Sequence, residues 1–226
     1  MKKEADKLTY KRTLDGSDTL FSHEFDDHYH STNGAIGESA HIFIKGGLLA
    51  CGKDEISVFE VGFGTGLNAL LTALSANEKE ITVHYTAIEK YPLREELVSG
   101  LNYCDILGGD SAGIYNAITG SPWGKPFPVS KFFSITRIED DLLSYIPTET
   151  YDLVYFDAFG PEKQPEMWTD EVIRKVAGAI REGGVFVTYS ARGSLRRTLQ
   201  SCGFATERLP GPPGKREFTR ATRRGE

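Results

Sequence analysis

Apolar and polar positions alternate along the chain in two regimes. From residue 56 onward, short apolar runs trade places with segments of helical spacing. Residues 56–61 form an apolar run that stops at glycines, 67–74 carry apolar side chains at helical spacing, and 83–88 read as a second strand. Residues 92–101 follow as a helix with Pro92 near its start. A third strand is expected at 132–138, a short helix at 141–146 and a fourth, nearly all-apolar strand at 151–156. Residues 169–180 have the pattern of a helix with Thr169 as N-cap and two acids in its first turn, closed by Gly183-Gly184. A fifth strand at 185–189, a helix at 194–201 and an antiparallel pair at 204–208 and 217–221 complete the series. Residues 108–128, rich in Gly, Pro and Ser, read as a surface insertion.

Ahead of this series the pattern is different. Residues 8–14 and 19–23 read as two strands joined by an Asp15-Gly16-Ser17 turn, followed by a polar, histidine-containing stretch and a strand or helix turn at 40–44. The expected fold class is therefore α/β: a mostly parallel, doubly wound sheet over 51–226, carrying a β-rich N-terminal extension over 1–50.

Composition narrows the class. With 39% hydrophobic and 26% charged residues, a chain of 226 residues has enough apolar material for one packed domain. No apolar run approaches the roughly 20 residues of a membrane span, and the charged start carries no secretory leader, so a cytoplasmic protein is expected. Cys51, Cys104 and Cys202 are odd in number and scattered, which fits reduced thiols better than a disulfide framework or zinc site. The net charge of -6 hides an asymmetry: residues 192–226 carry +6 and the rest carries -12. That asymmetry suits either a basic docking face or a solvated basic end.

The strongest local motif is Glu60-Val61-Gly62-Phe63-Gly64-Thr65-Gly66-Leu67-Asn68, placed where a strand meets a helix. Glycines there let the backbone turn sharply and approach a ligand. Gly62, Gly64 and Gly66 follow a G-x-G-x-G spacing, and Leu67 stands where a dinucleotide site has its last glycine. Glu60, ending the strand, suits the ammonium of a methionine moiety better than a pyrophosphate. Glu89 closes the second strand and can accept hydrogen bonds from both hydroxyls of a ribose. Asp141, or its neighbour Asp140, lies where an adenine contact or a helix cap would fall. The expected cofactor is S-adenosyl-L-methionine.

The run Phe156-Asp157-Ala158-Phe159-Gly160-Pro161-Glu162-Lys163-Gln164-Pro165-Glu166-Met167-Trp168 makes the resemblance specific. It resembles the signature of the methyltransferase half of the bifunctional tRNA 5-methylaminomethyl-2-thiouridine biosynthesis family, MnmC. Gly160 replaces another small residue of that signature. Phe25-Asp26-Asp27 with Tyr29, Arg196-Arg197 with Leu199, Gly203-Phe204, and Gly214-Lys215-Arg216-Glu217 resemble the family as well. Its bifunctional members carry a second, FAD-dependent oxidase domain, and no such domain is expected within this chain. The resemblance implies a Rossmann-like class I methyltransferase standing alone. It would methylate the 5-aminomethyl group of the wobble uridine in a tRNA anticodon loop, with a separate enzyme supplying that group.

On that reading Asp157, at the carboxyl end of the fourth strand, aims the amine and takes up its proton. Asn68 and Asp157 join the cofactor set. Tyr29, Phe159 and Pro161 wall the uracil, and Lys163, Arg192, Lys215 and Arg216 meet phosphates. Trp168 is expected to pack rather than stack on a base. His28 and His30, spaced i, i+2 beside Asp26 and Asp27, lack a second ligand cluster, so no metal is expected. A methyltransferase for another RNA or a small amine, an aminopropyltransferase, and a non-catalytic tRNA-binding protein are the competing readings.

Overall fold

The computed structural model describes residues 8–225. The first seven residues and Glu226, on which the leader reading and part of the charge count rest, lie outside the described residues. The chain opens with a hairpin, β1 (Leu8–Arg12) and β2 (Asp18–Ser22), to which the two-residue β3 (Asp27–His28) adds. Its turn is the expected one: the Asp15 carboxylate accepts from Ser17 N at 3.0 Å and from Gly37 N at 3.0 Å. That second bond ties the hairpin to α1 (Ala35–Ser39). The helix widens into a π-helical stretch at Ala40–Lys45, which settles the strand-or-helix ambiguity there. Ile42, Phe43 and Ile44 of this stretch enter the main core beside Val58, Leu67 and Tyr155.

The main sheet follows from the alternating pattern. Its strands are β4 (Glu55–Val61), β5 (Thr82–Glu89), β6 (Phe127–Pro128), β7 (Phe133–Glu139), β8 (Tyr151–Phe156), β9 (Ile180–Thr188), β10 (Phe204–Pro210) and β11 (Glu217–Arg223). Their order is β10-β11-β9-β8-β4-β5-β7-β6. The five central strands run parallel and the edges are antiparallel. Strand order reverses between β4 and β8, and ligands in open α/β sheets bind at such a reversal.

Helices cover both faces. On one lie α2 (Leu67–Lys79), α3 (Glu95–Ser99), α4 (Tyr103–Leu107) and α5 (Ser111–Thr119); on the other lie α6 (Asp170–Gly178) and α7 (Gly193–Ser201). The two faces of β8 divide accordingly: Leu153 and Tyr155 join the first core, Val154 and Phe156 the second. Thr169 caps α6 as expected, its side chain accepting from Val172 N at 3.3 Å.

Three expectations need correction. Residues 108–128 are not a surface insertion: they contain α5, whose Ile114, Tyr115 and Ile118 are buried in the α2 core. Residues 141–146 form a single turn, with Ser144 N and Tyr145 N both bonded to Asp141 O. Pro147 drives the residue before it out of helical geometry. Lys175 Nζ satisfies the carbonyls of Leu142, Leu143 and Tyr145 instead. Gly183-Gly184 do not end α6. They lie inside β9, where the register to β8 slips between Ile180 and Val185, and Gly183 takes φ 74°.

Candidate active site

The glycine turn after β4 adopts left-handed backbone at each of its glycines, with φ of 87°, 51° and 77° at Gly62, Gly64 and Gly66. At Gly62 a Cβ would stand 2.8 Å from the Asp157 carbonyl oxygen, and at Gly64 one would stand 3.1 Å from the Tyr29 ring. Only glycine provides this backbone and this closeness together. The next residue, Thr65, is fully buried and anchors the turn. Its Oγ1 lies 2.8 Å from His30 Nε2 and accepts from Tyr103, while its carbonyl accepts from Tyr115 OH at 2.7 Å. Tyr115 belongs to α5, so the segment expected to be an insertion braces the motif. Burial, with Lys215 adding, pushes the His30 pKa down to about 4, so the ring is neutral at pH 7.

Two cavities meet at the carboxyl ends of β4, β5 and β8. One, of about 280 Å³, is lined by Asp27, Tyr29, Glu38, Asp157, Phe159 and Lys215, among others. The other, of about 180 Å³, is lined by Ile88, Asp140, Asp141, Leu142 and Met167, among others. Tyr29, Gly62, Glu89 and Ala158 border both. The pair forms one cleft, with carboxylates at both ends and the apolar side chains Ile88, Leu142 and Met167 in the second cavity.

Glu89 sits at the junction, its carboxylate accepting from Gly64 N at 3.0 Å and Tyr91 N at 2.9 Å. Asp141 borders the second cavity, held by Lys90 at 2.7 Å and by Leu143 N at 2.9 Å. The Lys90 hydrogen bond holds its carboxyl below the usual range. Phe159 stacks on Phe25 with centroids 4.5 Å apart and meets the Tyr29 ring edge-on at 5.0 Å. Trp168 packs, as expected: its Nε1 donates to Phe159 O at 2.7 Å, and its ring contacts Phe156 and Tyr189.

Glu60 is placed differently from the sequence expectation. It is fully buried and borders neither cavity. Burial is the largest influence on its carboxyl and pushes its pKa upward. It is linked to the cleft through Asn68, whose Nδ2 donates to Glu60 Oε1 at 2.9 Å and to Asp157 Oδ2 at 2.8 Å. Asp157 in turn has a pKa raised to about 7, first by burial and further by Glu38, against the Asn68 bond and Lys215.

Glu38 is the residue that sequence reading missed. It is buried, accepts from Ser31 N at 2.8 Å, pairs with Lys215 and faces the same cavity as Asp157. Lys215 Nζ also lies 4.0 Å above the Tyr189 ring. Pro161, Lys163, Arg192 and Arg216 border neither cavity. Lys163 pairs with Asp26 at 2.8 Å and Arg192 with Glu162 at 2.7 Å, both at the surface, and Arg216 is exposed.

Residues 135–224 match a family model described as S-adenosyl-L-methionine-dependent methyltransferase. A parallel α/β sheet with this glycine turn and that match define the chain as an S-adenosylmethionine-dependent methyltransferase, with S-adenosylmethionine as its cofactor. The chain is 31% identical over 221 residues to the tRNA 5-methylaminomethyl-2-thiouridine biosynthesis bifunctional protein MnmC of Cupriavidus metallidurans, across 91% of this chain and 33% of that protein. To the protein of the same name from Ralstonia nicotianae it is 31% identical over 229 residues, across 92% and 34%. The crystal structure of MNMC2 from Aquifex aeolicus superposes with a TM-score of 0.74 at 26% identity, across 95% of this chain and 70% of that one. The chain is an MnmC-like methyltransferase domain, homologous to these proteins, and it spans about a third of the length of the curated relatives it matches. No helix among the described residues is long and apolar enough to cross a membrane.

Proposed function

We propose that the chain methylates the exocyclic amine of 5-aminomethyl(-2-thio)uridine at the tRNA wobble position, in the cytoplasm, giving the 5-methylaminomethyl nucleoside. A separate enzyme supplies the aminomethyl group. The observation that carries the reading is Asp157: a carboxylate of raised pKa that lines the same cavity as the aromatic rings of Tyr29 and Phe159. The names of the bifunctional relatives supply the nucleoside.

The cleft fits the cofactor. Gly62, Gly64 and Glu89 line its middle, where a Cβ on either glycine would press on Asp157 or Tyr29, and the second cavity sets Ile88, Leu142 and Met167 beside the carboxylates of Glu89 and Asp141. Glu89 and Asp141 hold the adenosine part, and Gly62 and Gly64 admit the methionine part. S-adenosylmethionine supplies a methyl on a sulfonium, so transfer to an amine forms one C–N bond, breaks one C–S bond and leaves S-adenosylhomocysteine and one proton. Asp157 accepts a hydrogen bond from the amine, which aims the nitrogen lone pair, and takes the proton as the bond forms. A pKa near 7 suits both roles. A carboxyl of ordinary acidity would be a poorer proton acceptor, and its permanent charge would hold the amine as ammonium, which cannot attack. Asn68 fixes the Asp157 carboxylate, and Glu60, which borders neither cavity, acts through Asn68. Tyr29 and Phe159 wall the uracil; Pro161 continues that wall outside the cavity. Lys163, Arg192 and Arg216 meet the anticodon-loop phosphates around the mouth, while Lys215, paired with Glu38 on the cavity wall, acts on the field at Asp157.

The test is nucleoside mass analysis. tRNA that has accumulated 5-aminomethyl-2-thiouridine, incubated with the protein and S-adenosylmethionine, is expected to gain one methyl on that nucleoside, and with Asp157→Ala to gain almost none. No gain, with cofactor binding shown by calorimetry, would exclude this substrate and leave a methyltransferase for another amine.

A further inference from the structure

A third cavity, of about 280 Å³, shares Gly64 and no other lining residue with the two cofactor cavities. Its feature is Arg137, on β7. The side chain is buried, with 6% of the residue exposed. The guanidinium carbon stands 4.4 Å from the Trp123 ring centre and 5.6 Å from that of Phe63, so aromatic rings flank it. One terminal nitrogen donates to Ser121 O. Nε is fully buried and has no partner.

No carboxylate answers this charge among the described residues. Glu95 borders the same cavity but is exposed and forms no ion pair with Arg137. Burial alone acts on the Arg137 pKa, pulling it down, with no acidic neighbour to oppose it. A buried cation without a counter-charge is costly, and cation–π contacts offset only part of that cost. Two buried carboxylates show the usual remedy: Asp152 is answered by Lys53 and Arg181, and Glu38 by Lys215. Arg137 has no such partner, and it borders a cavity.

The geometry points to a binding site for one phosphate-type oxyanion in this cavity, with Arg137 as its anchor. A guanidinium offers paired N–H donors that match two oxygens of such an anion. Thr119 and Gly120 add a neutral rim, and the volume leaves room for an esterifying group beyond the anion itself. The phosphate can come from a free phosphate ester or from a polynucleotide backbone. Neither source depends on the methyl-transfer reading of Asp157.

Inorganic phosphate is the probe. The full chain is titrated with it by calorimetry, and its melting temperature is followed, at an ionic strength held constant with chloride. Saturable binding and a rise in melting temperature beyond the chloride control are expected. Arg137→Lys keeps the charge but loses the paired donors, and should weaken binding by about tenfold. Glu95→Gln removes the rim carboxylate without touching the core, and should tighten binding severalfold. It reports on the site even if the Arg137 variant does not fold. Equal phosphate affinity in the wild type and Glu95→Gln, or no phosphate effect beyond chloride, would overturn the assignment. tRNA added to the phosphate-saturated protein separates the sources: displacement of phosphate assigns the site to a backbone phosphodiester, and retention assigns it to a free phosphate ester.

Discussion

Replacing Asp157 by Asn keeps the side-chain shape and an acceptor for Asn68, while removing a carboxyl whose pKa is raised from 3.8 to about 7. Burial is the largest cause and Glu38 the second that raises it. The folded pKa lies above the unfolded one, so the folded state holds the proton more tightly. Below about pH 3.8 the carboxyl is neutral in both states and costs nothing. Between that pH and about 7 its ionisation costs increasing stability, and above 7 the cost levels off. At about 1.4 kcal/mol per pH unit the ceiling is about 4 kcal/mol. Relaxation and water in the cleft bring the change between pH 4.5 and 8 to roughly 2–3 kcal/mol. The assay is urea unfolding of both proteins across that range. The variant should gain on the wild type as pH rises, while its methyl transfer falls by about 100-fold or more. A stability difference that stays flat from pH 4.5 to 8 would refute the argument that this carboxyl is held at thermodynamic cost.

Wild-type methyl transfer should rise with pH through about 7, as Asp157 ionises, and a rate–pH profile of Asp157→Asn should lack that limb. Gly62→Ala brings a Cβ to 2.8 Å from the Asp157 carbonyl at a φ of 87°. It should cost about 1–3 kcal/mol of stability and weaken cofactor binding about tenfold or more by calorimetry; unchanged affinity would remove the turn from the site. Thr169→Ala loses the α6 cap and should cost about 1 kcal/mol in urea unfolding, with cofactor affinity unchanged. Tyr115→Phe removes the bond to the Thr65 carbonyl and should lower stability by about 1 kcal/mol and cofactor affinity severalfold, measured by unfolding and calorimetry.

Elements whose signal is local were legible in the sequence. Residues 151–156 are apolar except for Asp152 and form β8 with those same bounds, buried on both faces, and the glycine spacing marked the turn after β4. Thr169 followed by two acids marked the start of α6. What failed to show was set by contacts distant in sequence. The helix α5 was hidden by the glycines around it, and it forms because Ile114, Tyr115 and Ile118 find the α2 surface. Glu38 looks like any polar residue of a short helix until the chain folds Lys215 onto it. Glu60 was read as facing the cofactor because it ends the strand before the glycines. In β4 its register partners are Ala87 and Tyr155, and its side chain enters the buried core. Strand position gave its place along the sheet, while only the fold gave its surroundings.

The C-terminal positive charge is used differently from what its sum suggests. Arg208 pairs with Glu217, Arg220 with Glu207, and Arg223 donates to the carbonyls of Ala177, Gly178 and Ile180. These residues knit the antiparallel edge of the sheet together, so much of the basic end is neither a frayed tail nor a free docking face. Near the cleft, Lys163 and Arg192 are held by Asp26 and Glu162 in exposed pairs, which are worth about 0–1 kcal/mol each. Such pairs open at little cost. A polyanion arriving at the mouth can exchange a surface carboxylate for a phosphate without unfolding anything, whereas Lys215, paired with the buried Glu38, cannot be drawn away so cheaply. The acids that hide the basic surface from a count of net charge therefore keep it poised rather than absent. Lys215, by contrast, is better suited to set the field at Asp157 than to bind a backbone.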